Sequence, residues 1–460
     1  MFWANFLHIY QPPTQKEYWV KKIANESYRK LTKGLKETPR AKVTLNVNAV
    51  LTELFHKYGC DDIIRDLRML AERGQIEFTG SAKFHPFLPL LPEREIIRQI
   101  ELNTLTNKKF FGDVYKPRGF FPPEMAYADR VAKIARKMGF SWIILDELAY
   151  NGKLHAIDWS KIYDVKSAPG LHVFFRERET SFRILSAEVG MSVFSGSMLV
   201  KLLGDRIQRN EYLITAMDGE TFGHHRPGLE HLLFDMYGVP ELTPVFISDL
   251  ERSFTEHKVI APRPSSWALM KKDIQRNTPY SRWQDPKNEI QQMQWKLTHL
   301  AVAQIDKLPE HHASFKKVRT ALDRALHSDQ YWWASAQPWW SIEMIEAGAK
   351  ELADVIRMSP RATAKEKLTA DTLYQSILYT SFEWQRTGKV ETRSKQADED
   401  VTQRMTKEAT FIPLAEFDSM IKNLRHQMDT AAATQEYERA AQIRDRVKEL
   451  LEKKNEITRS

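Results

Sequence analysis

The chain has 460 residues, 68 of them basic and 60 acidic, for a formal charge of +8; this length points to one large domain with appended pieces. Both signs of charge are interspersed along the chain, so the basic excess is no nucleic-acid footprint and no direct nucleic-acid contact is expected. A hydrophobic content of 42% with 11% aromatics excludes a disordered or fibrous chain.

The first predicted strand, "FWANFLHIY", ends in His8, Tyr10 and Gln11. Alternation puts His8 and Tyr10 on one face, and Pro12 and Pro13 stop the strand. His8 reads as a sugar- or metal-contacting histidine at a barrel mouth, or as a hydrogen-bonded core histidine. The segment lacks the basic and long apolar regions of a signal peptide, and no apolar run approaches the roughly 18 residues of a membrane span. A cytoplasmic protein is expected. After the strand "KVTLNVN", a helical stretch from Ala49 carries Cys60, the only cysteine. That excludes an intramolecular disulfide and a multi-cysteine zinc site, and fits a reducing compartment.

"IEFTGS" places Glu77 inside a strand, Ser81 at its end and His85 just before a proline. Glu77 suits a buried orienting carboxylate or an edge-strand surface acid. "RGFFPP" is followed by Glu124, whose neighbours Phe120, Phe121, Pro122, Pro123, Met125 and Tyr127 are company a surface glutamate rarely keeps. Further on, "SWIILDE" and "YLITAMD" are strands. Asp218 ends the latter, with Glu220, His224, His225 and Arg226 on the loop beyond. "TPVFISD" completes seven strand signals, with helices such as "YADRVAKIARKMGF" between several of them.

Crossover helices imply parallel strands covered on both faces, and polar clusters at several strand ends favour a barrel over a doubly wound sheet. No Gly-rich phosphate loop appears. Two carboxyls facing one pocket, one held protonated, are what glycosidic cleavage requires. Asp218, His224 and His225 as metal ligands form the competing reading, without the helical spacing of a zincin.

From about residue 285 apolar residues recur at three and four, which predicts a helical bundle. Residues 389 to 410 are charged, without aromatics, and read as a linker. Beyond them lie two amphipathic runs around a break near Ala433 and Thr434, a helical hairpin whose plainer reading is a terminal coiled-coil pair for self-association.

Taken together, these segments resemble glycoside hydrolase family 57. "HIYQPP" is similar to the family's His-x-His-Gln-Pro opening, "GQIEFTGSA" to its second segment, "GFFPPEMA" to the nucleophile segment, "MDGETFGHH" to the acid/base segment and "HSDQYWWASAQPWW" to the fifth. The resemblance implies an α/β fold, a (β/α)7 parallel barrel followed by an α-helical bundle, acting on α-glucans or maltooligosaccharides by a retaining double displacement without cofactor or metal. Glu124 matches the nucleophile and Asp218 the general acid/base. His8, Glu77, Glu220, His224, Asp329 and Trp332 match pocket residues; Tyr10, Gln11 and His85 are taken with them as substrate contacts, while Trp332 and Trp333 also suit bundle core. Tyr10 stands where the family has a second histidine, which places the usual contact there in question.

The terminal segment resembles the UVR motif of UvrB and UvrC, with "YERAAQIRD" as its diagnostic part: Tyr437, Glu438, Ala440, Ala441, Arg444 and Asp445. That implies a protein-interaction hairpin. The expected division is a barrel over 1–280, a bundle over 281–388, a charged linker over 389–415 and the hairpin over 416–454. A metal-dependent polysaccharide deacetylase and a non-catalytic scaffold presenting the hairpin are the rival functions.

Overall fold

In the computed structural model, which describes residues 1–186, 196–397 and a subset of 421–451, alternation along the first strand sets the architecture. Ala4 and Phe6 point into one buried cluster and Phe6 stacks on Phe121 across the interior. Trp3, Leu7 and Ile9 point the other way into a second cluster, where Trp3 meets Tyr237. The strand thus has one face toward a barrel interior and one toward covering helices. Phe6, Leu7 and Ile9, all buried, contribute roughly 1.5–3 kcal/mol each.

The described strands are β1 (Phe2–Ile9), β2 (Val43–Val47), β3 (Ile76–Phe78), β4 (Gly119–Phe120), β5 (Trp142–Asp146), β6 (Ile162–Val165), β7 (His172–Arg176), β8 (Tyr212–Asp218), β9 (Thr243–Pro244) and β10 (His257–Ile260). One sheet runs β3-β2-β1-β8 and the other contains β7-β5-β4, all parallel. Two short seams join them. Gly80 N donates to Gly119 O at 2.8 Å and Phe121 N to Gly80 O at 2.9 Å, linking the end of β3 to β4. Glu177 N donates to Ile214 O at 2.8 Å, linking the end of β7 to β8. Seven parallel strands therefore close into the expected (β/α)7 barrel.

The seventh barrel strand differs from the one expected. "TPVFISD" supplies only β9, two residues beside the start of β1. Its remainder enters the helix Ile247–Ser253, because the Asp249 carboxylate accepts from Phe246 N at 3.2 Å and opens a helical turn. The barrel strand is β7, in "LHVFFRERE". A short apolar run of this kind does not distinguish strand from helix by periodicity.

The bundle follows the sequence pattern, with helices Glu289–Lys307, Phe315–Ala325, Asp329–Trp333, Ile342–Met358 and Ala364–Arg386. The charged linker does not begin at 389. Residues 389–397 are helical, with Val390 and Ala397 buried, Arg393 paired to Asp285 at 2.9 Å and Lys389 to Glu289 at 3.0 Å. Charged side chains cover apolar surface here with their stems, so composition alone misjudges the segment. The rest of the proposed linker, 398–415, lies outside the described residues, as do Thr434 and, within "YERAAQIRD", residues 437–439 and 442. Within 421–451 the described residues are helical, and Ile421, Leu424, Ile443 and Val447 are buried.

A chain ending at Gly388 should melt several degrees below the full chain, because it loses Val390, Ala397 and the Arg393–Asp285 pair. A chain ending at Ala397 should melt close to it. Thermal unfolding followed by circular dichroism checks both; a large drop in the second would make the terminal segment part of the body.

Candidate active site

Pro122 and Pro123 end β4 and force an abrupt turn. Glu124 follows at φ 63°, ψ 16°, and Met125 at φ 47°, a left-handed backbone costing of order 1–3 kcal/mol per non-glycine residue. The turn is held by Met125 N donating to Pro122 O at 2.8 Å, Ala126 N to Pro123 O at 3.1 Å and Trp267 N to Glu124 O at 3.0 Å. The Glu124 carboxyl, 12% exposed, takes a hydrogen bond on each oxygen: Trp267 Nε1 donates to Oε2 at 2.9 Å and Ser328 Oγ to Oε1 at 3.0 Å. His85 Nδ1 lies 3.5 Å from Oε1. Burial, then the charge of Asp329, pushes Glu124 up to about 8, against the two donors.

Asp218 is the last residue of β8 and pairs in register with His8 on β1. By alternation it shares the inward face of Tyr212, Ile214 and Ala216. Burial raises its pKa, and the Arg176 guanidinium at the end of β7 draws it down. The Asp218 charge is also felt at Glu124, so the two carboxyls share one electrostatic environment.

Aromatic rings wall the space beside them. His8 stacks on Phe121 at 4.5 Å and on His85 at 5.0 Å, and Tyr10 stacks on His85 at 4.1 Å. His8 Nδ1 meets Asn46 Oδ1 at 2.7 Å, and burial holds its pKa well below the ordinary value. His85, lowered chiefly by burial to about 4, shares a 3.1 Å hydrogen bond with Ser328. Tyr10 OH donates to Asp329 Oδ2 at 2.6 Å. Burial works to raise Asp329, but His327, 3.0 Å away, together with His85 and Tyr10 keeps Asp329 below its usual value.

Glu220 ties the acid loop to the rest of the mouth. Its Oε1 accepts from Tyr10 N at 3.0 Å, from Gln11 Nε2 at 3.3 Å and from Tyr28 OH. Burial and then Asp218 raise its pKa. The loop requires Gly223 at φ 107°, where a Cβ would sit 1.9 Å from Glu26 O. Gly223→Ala should displace the loop and lower activity more than stability, as measured by turnover beside a melting curve.

The structure thus brings together Glu124, Asp218, His8, Tyr10, Gln11, His85, Glu220 and Asp329. Three further sequence candidates make their side-chain contacts with other residues. Glu77 pairs in register with Thr44, two positions below Asn46, and accepts from Thr44 Oγ1 at 3.0 Å; two strand residues are about 6.6 Å of depth, so it orients the barrel interior beneath the mouth. His224 turns its Nδ1 to Glu26 Oε2 at 2.6 Å, and Asp218, His224 and His225 do not bring their ligand atoms within 4.8 Å of one another. Trp332 is half-buried against Trp283 at 5.1 Å, where bundle meets barrel. Trp267, Ser328, Arg176, Tyr28 and Asn46 complete the site without having been singled out. Of these only Ser328 and Arg176 carried a signal, one beside Asp329 and one at a strand end.

Two buried carboxyls thus follow the ends of separate strands of a parallel barrel, where such barrels carry their chemistry. The sequence profile of glycosyl hydrolase family 57 matches residues 4–266, and that of the UvrB/uvrC motif matches residues 418–453. The chain belongs to glycosyl hydrolase family 57. It is 28% identical over 141 residues to an alpha-amylase of Pyrococcus horikoshii, covering 31% of this chain and 22% of that one. It is 27% identical over 214 residues to a putative alpha-amylase of Methanocaldococcus jannaschii, 44% of each. The match therefore spans about a fifth to under a half of these relatives' lengths. The crystal structure of a family 57 branching enzyme from Thermococcus kodakaraensis superposes with a TM-score of 0.65 at 17% identity, over 78% of this chain and 90% of that one, a likeness of fold. Among the described residues no helix is long and apolar enough to cross a membrane.

Proposed function

We propose that the chain is a retaining glycosidase or glucanotransferase for α-glucans or maltooligosaccharides, with Glu124 as nucleophile and Asp218 as general acid/base. The observation that carries this is the Glu124 carboxyl itself, turned into the barrel mouth by a left-handed backbone and oriented by Trp267 and Ser328, in the electrostatic range of Asp218. A Glu124 oxygen bonds to the anomeric carbon as the glycosidic C–O bond breaks, and the Asp218 proton passes to the leaving oxygen. An acceptor hydroxyl, of water or of another sugar, then returns a proton to Asp218 as its oxygen displaces Glu124. The aromatic mouth of His8, Tyr10, His85 and Trp267 gives sugar rings an apolar wall. Tyr10, bonded to Asp329, occupies the position of the family's second histidine and is our candidate for a specificity difference.

The one cysteine, buried and in no disulfide, fits a cytoplasmic protein, and we assign the segment around Tyr437 to Asp445 a protein-docking role on the UVR resemblance. Neither rival function gains a specific observation. The test of activity is a chromatographic product profile on maltooligosaccharides, amylose and amylopectin. Shorter products alone mean hydrolysis, redistributed lengths mean transfer, and no product would overturn the proposal.

The pH profile follows from the carboxyls. Catalysis needs Asp218 protonated and Glu124 ionised, so kcat/KM should be bell-shaped, with its alkaline limb near about 8. Asp329 is a negative charge that raises Glu124; Asp329→Asn removes it, makes ionisation easier and should move that limb to lower pH. A limb that stays in place would separate Glu124 from it.

A further inference from the structure

Asp164, His172 and His257 stand on three neighbouring strands. β6 pairs antiparallel with β7, Asp164 opposite His172, and parallel with β10, His257 opposite Ile162. Ile162 and Asp164 are two apart and share a face, so all three side chains leave one face of the ribbon. His172 Nδ1 lies 2.6 Å from Asp164 Oδ1 and His257 Nδ1 3.1 Å from Oδ2. One nitrogen or oxygen from each residue falls within 4.8 Å of the others.

We propose that Asp164, His172 and His257 form a binding site for a divalent first-row metal ion, zinc in the first instance, pinning β10 to the β6–β7 hairpin. Both imidazoles turn the same nitrogen onto one carboxylate, whose ion-pair partners among the described residues are these two histidines. Two nitrogens and one oxygen are a borderline set that zinc, cobalt, nickel and copper accept, and calcium or magnesium does not favour. Bonds of about 2.0–2.2 Å in a tetrahedral site set ligand atoms roughly 3.4 Å apart, so each imidazole nitrogen moves off the carboxylate by less than about 1 Å to admit the ion. The side chains are 23%, 23% and 40% exposed, which leaves water a way to the fourth position.

The site is independent of the glucan chemistry. His172 begins β7, and Arg176, facing Asp218, ends it; four strand steps are about 13 Å.

Zinc titrated calorimetrically into chelator-treated full-length protein should bind at one saturable equivalent and raise the melting temperature. Cobalt should give the visible bands of a four-coordinate ion. His257→Gln, at the most exposed of the three, should abolish the equivalent, the bands and the melting shift, leaving the metal-free melting point and glucan turnover in place. His172→Gln should do the same. Absence of a saturable equivalent, or its persistence in His257→Gln, would overturn the proposal and leave the trio as hydrogen-bonded pairs.

Discussion

Glu124→Gln is expected to lower kcat on maltooligosaccharides on the order of 10⁴-fold or more, with melting temperature and glucan binding nearly unchanged. An amide cannot attack the anomeric carbon, yet it fits the space. Its oxygen can still accept from Trp267 Nε1, and its NH2 can donate to Ser328, whose hydroxyl is free to reverse its role. The left-handed turn at 124 is held by backbone bonds of Met125, Ala126 and Trp267, none of which depends on the carboxylate. The fold should therefore survive while the chemistry fails. Steady-state kinetics beside isothermal titration with maltooligosaccharide separate the two, and near wild-type turnover would remove Glu124 from the mechanism.

Asp218→Asn should be the other large loss, roughly 10²- to 10⁴-fold on natural glucans, with a signature that Glu124→Gln cannot imitate. A substrate with an activated leaving group needs no proton, so glycosylation should recover. Deglycosylation still lacks its base and should stay slow, giving a burst followed by a slow steady state. Adding a strong small nucleophile such as azide should accelerate the slow phase. A uniform loss on both substrate types, without a burst, would place Asp218 outside acid/base catalysis. Arg176 sharpens this: its guanidinium opposes the burial that raises Asp218, so neutralising it should raise the Asp218 pKa further.

The placement of the two carboxyls was legible in the sequence because each follows a strand and stands out against its neighbours: Glu124 among prolines and phenylalanines, Asp218 after the strand "YLITAM". The groups that orient them were not. Trp267 reaches Glu124 from the loop after β10 and Ser328 from the bundle, 143 and 204 residues away in sequence, and no local periodicity records such a contact. Glu77 had the right chemistry at the wrong depth, since a strand puts alternate residues on one face without showing which lies at the mouth. His224 sits in the acid segment but finds Glu26 first. β7 escaped because "FFRERE" passes from apolar to charged within the strand end, and residues 389–397 because Arg393 and Lys389 reach acids of the bundle.

In the proposed mechanism Glu124 carries a covalent glycosyl group. A fluorinated α-maltosyl fluoride, whose ring fluorine slows the second step more than the first, should trap that species, and peptide mass spectrometry should locate the sugar. One label per chain is expected, on the peptide containing "GFFPPEMAY" and at Glu124, absent from Glu124→Gln. A label on any other residue, or steady turnover of natural glucan with no trappable adduct and inverted product configuration, would contradict it.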